Sequence, residues 1–261
     1  MSLHSSSPSW LAGVLAAGLS LAAIAEPQTL TTPRGATISI LADLPEGEGP
    51  FPALVLAPGQ GYHMQMPLLA KLSTALRGRG VAVLRFDWAF YTQQPQRGEV
   101  SADLVPELED MATVLAHARQ HARIDPKRIM AGGKSLGSLV GWRLLQQEGG
   151  LKAGLLLTPV CSRQEPGGVV VGELARNYPG LEQEDRPLAW IAGERDPYCD
   201  APLLYQFAGS AGRSVRVSLI GGDHSFKAGP PGEPEVDAQS ARNIDLAVQL
   251  ATDFVVTALK P

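Results

Sequence analysis

The 261-residue sequence is poor in several features that define whole classes of protein. Lysine and arginine total 22 against 26 aspartates and glutamates, which gives a net charge of −4. Without a basic excess to neutralise phosphates, nucleic acid is not an expected partner. With two cysteines the chain cannot form a multi-disulfide framework or a four-cysteine zinc site. Charged residues make up only 18%.

The remaining composition is that of a folded globular protein. Hydrophobic residues account for 44% of the chain, which argues against disorder, since disordered chains combine low hydrophobicity with high net charge. The 28 glycines and 21 prolines imply many turns. The length suits one large α/β domain.

The N-terminal segment is predicted to be a targeting signal. Residues 1–25 contain no Lys, Arg, Asp or Glu, residues 10–24 form an apolar run, and Ala23 and Ala25 are small. This pattern is typical of a secretory signal cleaved after Ala25, which predicts export to the periplasm or medium and a single mature domain over 26–261. The alternative is an uncleaved anchor. The run is shorter than the ~20 residues that span a bilayer, so no stable membrane span is expected.

Short apolar runs alternate with amphipathic segments in the rest of the chain. This alternation is typical of a mainly parallel sheet flanked by helices. The predicted strands are Ala36–Ala42, Ala53–Ala57, Val81–Phe86, Arg128–Gly132, Ala153–Thr158, Leu188–Ala192 and Val215–Ile220. Helical apolar stripes are formed by Leu68, Leu69, Leu72 and Leu76, by Leu104, Leu108, Met111, Leu115 and Ala118, and by Ile244, Val248, Ala251, Val255 and Leu259. The longest irregular stretch, Cys161–Arg186, is too short for a substantial lid.

One motif predicts a catalytic residue. The strand Arg128–Gly132 leads into Gly-Lys-Ser-Leu-Gly at 133–137, and the helical pattern Ser138–Gln147 follows. A serine on such a strand–turn–helix turn presents its hydroxyl above the sheet, and the helix N-terminus favours developing negative charge. Ser135 is therefore the candidate nucleophile. The alternative is an unreactive glycine-rich turn. A phosphate-binding loop is excluded because its first glycine is replaced by Arg128.

A serine nucleophile needs a general base. His224 is the only histidine after Ser135 in the sequence. It follows the last predicted strand, where a loop at the strand end places it near the serine. The alternative is a surface histidine in a turn.

The base in turn needs a carboxylate to orient it. The strand Leu188–Ala192 leads to Asp196, the preferred candidate, with Asp200 and Glu194 as competitors. Asp223 is adjacent to the base in sequence and is a poor orienting partner. The resulting order of serine, aspartate and histidine is that of an α/β-hydrolase.

The oxyanion formed in acyl transfer needs two backbone N–H donors. Leu136, directly after the nucleophile, is expected to supply one. The turn 58–62, Pro-Gly-Gln-Gly-Tyr, is expected to supply the other through Gln60, although an ordinary turn is the alternative. No His-x-x-x-His or Cys/His cluster occurs at ligand spacing, so neither a metal nor another cofactor is expected.

Together these residues resemble the α/β-hydrolase superfamily, and more narrowly its small, lidless branch of hydrolases related to dienelactone hydrolases. The matching segments are 57–61, 83–87, 132–137, 193–196 and 222–226. The resemblance implies a three-layer fold, with an eight-stranded or slightly reduced sheet and no large lid, and hydrolysis through an acyl-enzyme. The family usually has His-Gly where Pro58-Gly59 stands. Proline lacks an N–H, but the expected donor is a later residue.

The two cysteines follow predicted strands that are neighbours in a parallel sheet. Cys161 and Cys199 are therefore a candidate disulfide in an exported protein, one that would brace the loop carrying Asp196.

The expected function is a serine hydrolase that cleaves a small or moderate ester, with that small molecule as its partner. Two alternatives stay open: a non-catalytic binding protein that keeps the fold, and a thioesterase or peptidase that uses the same three residues.

Overall fold

The computed structural model describes residues 26–95, 98–165, 170–211 and 215–261. The predicted signal segment, 1–25, lies outside the described residues. Within them, no helix combines the length and the apolar character needed to cross a membrane.

A central eight-stranded sheet organises the chain. Its strands are β1 (Gln28–Thr31), β2 (Thr37–Asp43), β3 (Phe51–Ala57), β4 (Ala82–Asp87), β5 (Ile124–Lys134), β6 (Gly154–Leu157), β9 (Leu188–Gly193) and β10 (Val215–Ile220). The spatial order is β1-β2-β4-β3-β5-β6-β9-β10. The first two pairings are antiparallel, and those from β4 to β10 are parallel. A separate hairpin joins β7 (Ser162–Gln164) to β8 (Val170–Gly172).

Helices connect the strands. They are α1 (Pro67–Arg77), α2 (Ala89–Gln93), α3 (Val105–Gln120), α4 (Leu136–Gln147), α5 (Leu174–Asn177), α6 (Ala201–Ser210) and α7 (Pro234–Ala258), with a 3₁₀ turn at Leu181–Gln183.

The sheet has a hydrophobic core on each face. Because side chains alternate along a strand, Val55 of β3 packs into the core shared with α3 and α4, while Leu54 and Leu56 pack into the core shared with α1 and α7. Both faces are covered, as a mainly parallel sheet requires. The predicted three-layer α/β arrangement is confirmed.

The seven predicted strands all occur; Val215–Ile220 has the predicted bounds, and the other six have shifted ends. The largest shift is in β5, which begins at Ile124 rather than Arg128. Strand β1 was not predicted because it is a short edge strand with three exposed residues and no hydrophobic alternation. The stretch Cys161–Arg186 is less irregular than expected. Its described residues form one hairpin and short helical turns, and no large lid.

Candidate active site

Ser135 lies at the sharp turn between β5 and α4. Its backbone has φ 54° and ψ −115°, an unfavourable conformation for a residue with a side chain. Its N–H donates to the carbonyl of Leu157 on the neighbouring strand at 2.9 Å. Gly133 and Gly137 face each other across this turn, and a Cβ on Gly133 would collide with the backbone of Gly137. The strained conformation of Ser135 is therefore maintained by its hydrogen bond to the neighbouring strand. The two glycines allow the close approach of backbones that this turn requires.

Asp196 and His224 follow the neighbouring strands β9 and β10, whose parallel register pairs Gly193 with Ile220. The Nδ1 atom of His224 lies 2.9 Å and 2.8 Å from the two carboxylate oxygens of Asp196. The Asp196 side chain is fully buried, whereas that of His224 is 17% exposed. The buried carboxylate therefore orients an imidazole that is partly open at its other side.

The two competing acids, Asp200 and Glu194, and the neighbouring Asp223 make other contacts. Asp200 caps α6 by accepting a hydrogen bond from the N–H of Leu203. Glu194 pairs with exposed Arg195. Asp223 accepts backbone N–H groups of its own turn.

The turn after β3 lies beside the serine. A Cβ added to Gly59 would lie 3.2 Å from Cβ of Ser135. The indole N–H of buried Trp88 donates to the carbonyl of Pro58 at 3.1 Å. Farther along, the Met64 N–H donates to Asp87 at 2.7 Å. The turn that carries Gln60 is thus fixed from two sides.

A cavity of about 430 Å³ opens above these residues. Ser135 and His224 both line it, as do Gln60 and Leu136. The rest of the wall is mainly apolar and consists of Gly61, Val100, Leu104, Leu139, Val160 and Tyr198. The cavity therefore brings together the candidate nucleophile, base and oxyanion donors next to an uncharged surface.

Cys161 and Cys199 form a disulfide, and both residues are fully buried. Each follows a cavity-lining residue, Val160 or Tyr198. The bond therefore ties two walls of the cavity together close to Asp196.

Lys134 is buried directly beneath the turn, with Nζ 5.0 Å from the ring centre of Tyr62. Burial lowers its pKa to about 8, and the charges of Asp196 and Asp223 only partly oppose that shift. Tyr62 is half-buried, and the loss of water around its hydroxyl raises its pKa to about 12. This lysine is thus an internal charge rather than a solvent-exposed one.

Three contacting residues were not predicted from the sequence. The rings of Tyr198 and His224 pack edge to face, with their centres 4.8 Å apart. The backbone N–H of Tyr198 donates to Asp196 at 2.9 Å. Ser138 and Tyr178 meet below the serine turn at 2.9 Å. Ser138 is recognisable as the residue three positions after the nucleophile, but nothing local marks Tyr178.

Among the described residues, no group of three or more His, Cys, Asp or Glu side chains is arranged to hold a metal ion.

The fold agrees with that of known proteins to which the chain is similar. The family described as "Alpha/beta hydrolase domain" matches residues 51–256. The chain belongs to this family, and that membership supports hydrolase activity.

One relative is the quorum-quenching protein AidA of Acinetobacter baumannii, 31% identical over 93 residues, which cover 36% of this chain and 30% of that protein. The chain thus matches less than a third of that relative's length.

Two solved structures show the same fold at low identity. The first is an alpha-beta serine hydrolase homologue from Coxiella burnetii, with 17% identity and a TM-score of 0.65 over 86% of this chain and 96% of that one. The second is a serine hydrolase without a lid from Xanthomonas campestris, with 17% identity and a TM-score of 0.62 over 91% and 96%.

Proposed function

We propose that this protein is a carboxylesterase-like serine hydrolase that acts through Ser135, His224 and Asp196. The observation that carries the proposal is the contact between buried Asp196 and Nδ1 of His224, in a cavity that Ser135 also lines. A carboxylate on Nδ1 fixes the tautomer in which Nε2 accepts a proton, which a general base requires.

The mechanism has two half-reactions. His224 Nε2 takes the Ser135 proton as Oγ attacks the ester carbonyl, and the backbone N–H groups of Gln60 and Leu136 stabilise the oxyanion. The tetrahedral intermediate collapses, and the departing alkoxide receives the proton from the imidazolium, which leaves an acyl-enzyme. Water, deprotonated by the same imidazole, then attacks the acyl carbon, and Ser135 regains its proton as the carboxylic acid leaves. Asp196 stabilises the imidazolium in both halves.

The cavity favours an uncharged substrate of small or moderate size. Its wall offers Leu104, Leu139 and Val160, and none of its ten lining side chains is an acid, a lysine or an arginine. A charged acyl group would lose its hydration there without gaining a partner.

The test is labelling by a fluorophosphonate probe. Purified wild type is compared with Ser135→Ala and His224→Ala, each checked for folding by circular dichroism. Labelling of wild type that disappears in both variants is expected, and a panel of esters, thioesters and peptides then ranks leaving groups. Folded wild type that takes no label contradicts the proposal and favours a binding protein that keeps the fold.

We further propose that the protein is exported and that residues 1–25 are removed. The apolar, uncharged segment supports this, and a structural disulfide suits an oxidising compartment. Intact mass of the protein recovered from its native cells should correspond to a chain that starts at Glu26. A mass that includes residues 1–25 would contradict cleavage.

A further inference from the structure

A chain of hydrogen bonds runs from the cavity wall to the backbone of the candidate nucleophile. The Val160 N–H donates to the Tyr178 hydroxyl oxygen at 3.0 Å, and that hydroxyl lies 2.9 Å from Oγ of Ser138. Ser138 Oγ in turn donates to the carbonyl of Ser135 at 2.6 Å, and the Ser138 N–H donates to the same carbonyl at 2.8 Å. The Ser135 carbonyl oxygen therefore accepts two hydrogen bonds.

The direction of each bond follows from counting protons. A carbonyl oxygen only accepts, so the single hydroxyl proton of Ser138 is used at Ser135. The proton between Ser138 and Tyr178 must then come from Tyr178, whose oxygen still accepts from Val160. Burial raises the pKa of Tyr178, so the phenol keeps this proton.

Both members of the chain are held firmly. Ser138 and Tyr178 are each 1% exposed. The Tyr178 ring packs edge-on against Trp142 and Phe207, at centroid distances of 6.1 Å and 5.4 Å. The hydroxyl is thus presented at one place by a rigid aromatic cluster.

The bonded carbonyl controls the direction of a neighbouring N–H. The carbonyl of Ser135 and the N–H of Leu136 belong to one planar trans peptide, so they point in opposite directions. Fixing the oxygen toward Ser138 therefore fixes the line along which the Leu136 N–H points. Because Ser135 has a strained backbone, with φ 54°, this peptide plane needs external support.

We infer that Tyr178 and Ser138 are positioning residues that aim the Leu136 N–H at the oxyanion. The inference rests on the proposed function for its kinetic consequence, although the support of the peptide plane does not depend on turnover. The Tyr178 hydroxyl also accepts the hydrogen bond from Val160, which lines the cavity. One hydroxyl therefore positions both a residue of the cavity wall and, through Ser138, the oxyanion donor.

The test compares Tyr178→Phe, Ser138→Ala and the double variant with wild type. Tyr205→Phe is the matched control, because Tyr205 is 61% exposed on α6. Removing a whole oxyanion donor costs about 10²–10³-fold in kcat, so a misdirected donor is expected to cost about 10-fold, with KM changed less than about twofold. The double variant should lose little more than the worse single variant, since the two residues act in series.

A second measurement separates this inference from the proposed function. Amide hydrogen exchange of Ser138, whose N–H donates to the Ser135 carbonyl at 2.8 Å, is followed by NMR. It should quicken in Tyr178→Phe and stay at the wild-type rate in Tyr205→Phe, whether or not the protein hydrolyses esters. A Tyr178→Phe variant that is less stable, yet keeps the wild-type kcat and the wild-type exchange of the Ser138 amide, overturns the inference and leaves Tyr178 a packing residue. If wild type hydrolyses no ester, the proposed function fails and the exchange result alone decides the inference.

Discussion

Asp196 and His224 are 28 residues apart in sequence, yet both carboxylate oxygens of Asp196 lie within 2.9 Å of a single nitrogen, Nδ1 of His224. The contact exists because the parallel strands β9 and β10 end side by side. The Tyr198 N–H donates to Oδ1 of Asp196 at 2.9 Å, so a backbone hydrogen bond also fixes the carboxylate.

Asp196→Asn tests whether the charge and hydrogen bonding of this side chain, rather than the volume it fills, are needed for activity. An asparagine fills the same volume but stabilises the wrong imidazole tautomer and carries no charge for the imidazolium. We expect kcat for an activated ester to fall about 10³–10⁴-fold with little change in fold. Steady-state kinetics checks this, with Glu194→Gln as the control because Glu194 pairs only with exposed Arg195 among its described contacts. Equal losses in both variants would assign the orienting role to neither acid.

Lys134 predicts a specific dependence of stability on pH. Its pKa is about 8 in the folded protein against an ordinary value of 10.5. The folded state therefore binds fewer protons between these values, so wild-type stability rises with pH across this window. The cost of burying the ammonium is complete below pH 8 and disappears above 10.5.

Lys134→Met should consequently raise the free energy of unfolding at pH 7 by up to about 3 kcal/mol, with a gain that shrinks by pH 10. Urea unfolding at the two pH values measures it. Lys152→Met, at an exposed site, should show neither effect. A Lys134→Met variant that is less stable at pH 7 would indicate that the ammonium makes a contact worth more than its burial.

The sequence allowed the candidate triad to be predicted because each member follows a strand with a clear apolar pattern. Strand, turn and helix around Ser135 form one local motif, and parallel strands end at the same edge. The contacts of Tyr178 could not be predicted in this way. This residue lies after a four-residue helix in an irregular stretch, and its partners Ser138 and Val160 are 40 and 18 residues away.

Strand β1 shows the same limit in the fold. Its residues do not alternate between apolar and polar, and its position depends on antiparallel pairing with β2 at the sheet edge. Pairing with another strand, rather than burial of a patterned face, is what makes it a strand.

Leu139 is expected to limit the size of the acyl group. It is half-buried on α4, four residues after the nucleophile, and lines the apolar wall of the cavity. Leu139→Ala should shift the preference toward longer acyl chains, by about 10-fold in the ratio of kcat/KM values for two chain lengths. A series of p-nitrophenyl esters measures the ratio. Leu246→Ala, at an exposed position on α7, is the control, and an unchanged profile in Leu139→Ala would place the acyl chain elsewhere.

The disulfide should contribute to stability and to the shape of the cavity. It joins cysteines 38 positions apart, and a loop of that length corresponds to about 4 kcal/mol of stabilisation. Replacing both cysteines by alanine removes the bond without leaving a free thiol. We expect this double variant to unfold at lower urea concentration, and to show a raised KM because Val160 and Tyr198 are each adjacent to one of the replaced residues.

Reductant supplies the control for that double variant. Prolonged incubation with dithiothreitol in mild urea, which the burial of both sulfurs requires, should bring wild type close to the variant and leave the variant unchanged. If KM stays constant while stability falls, the cavity walls are held by their other contacts, such as the bond between the N–H of Val160 and Tyr178. The disulfide would then stabilise the fold without setting the shape of the cavity.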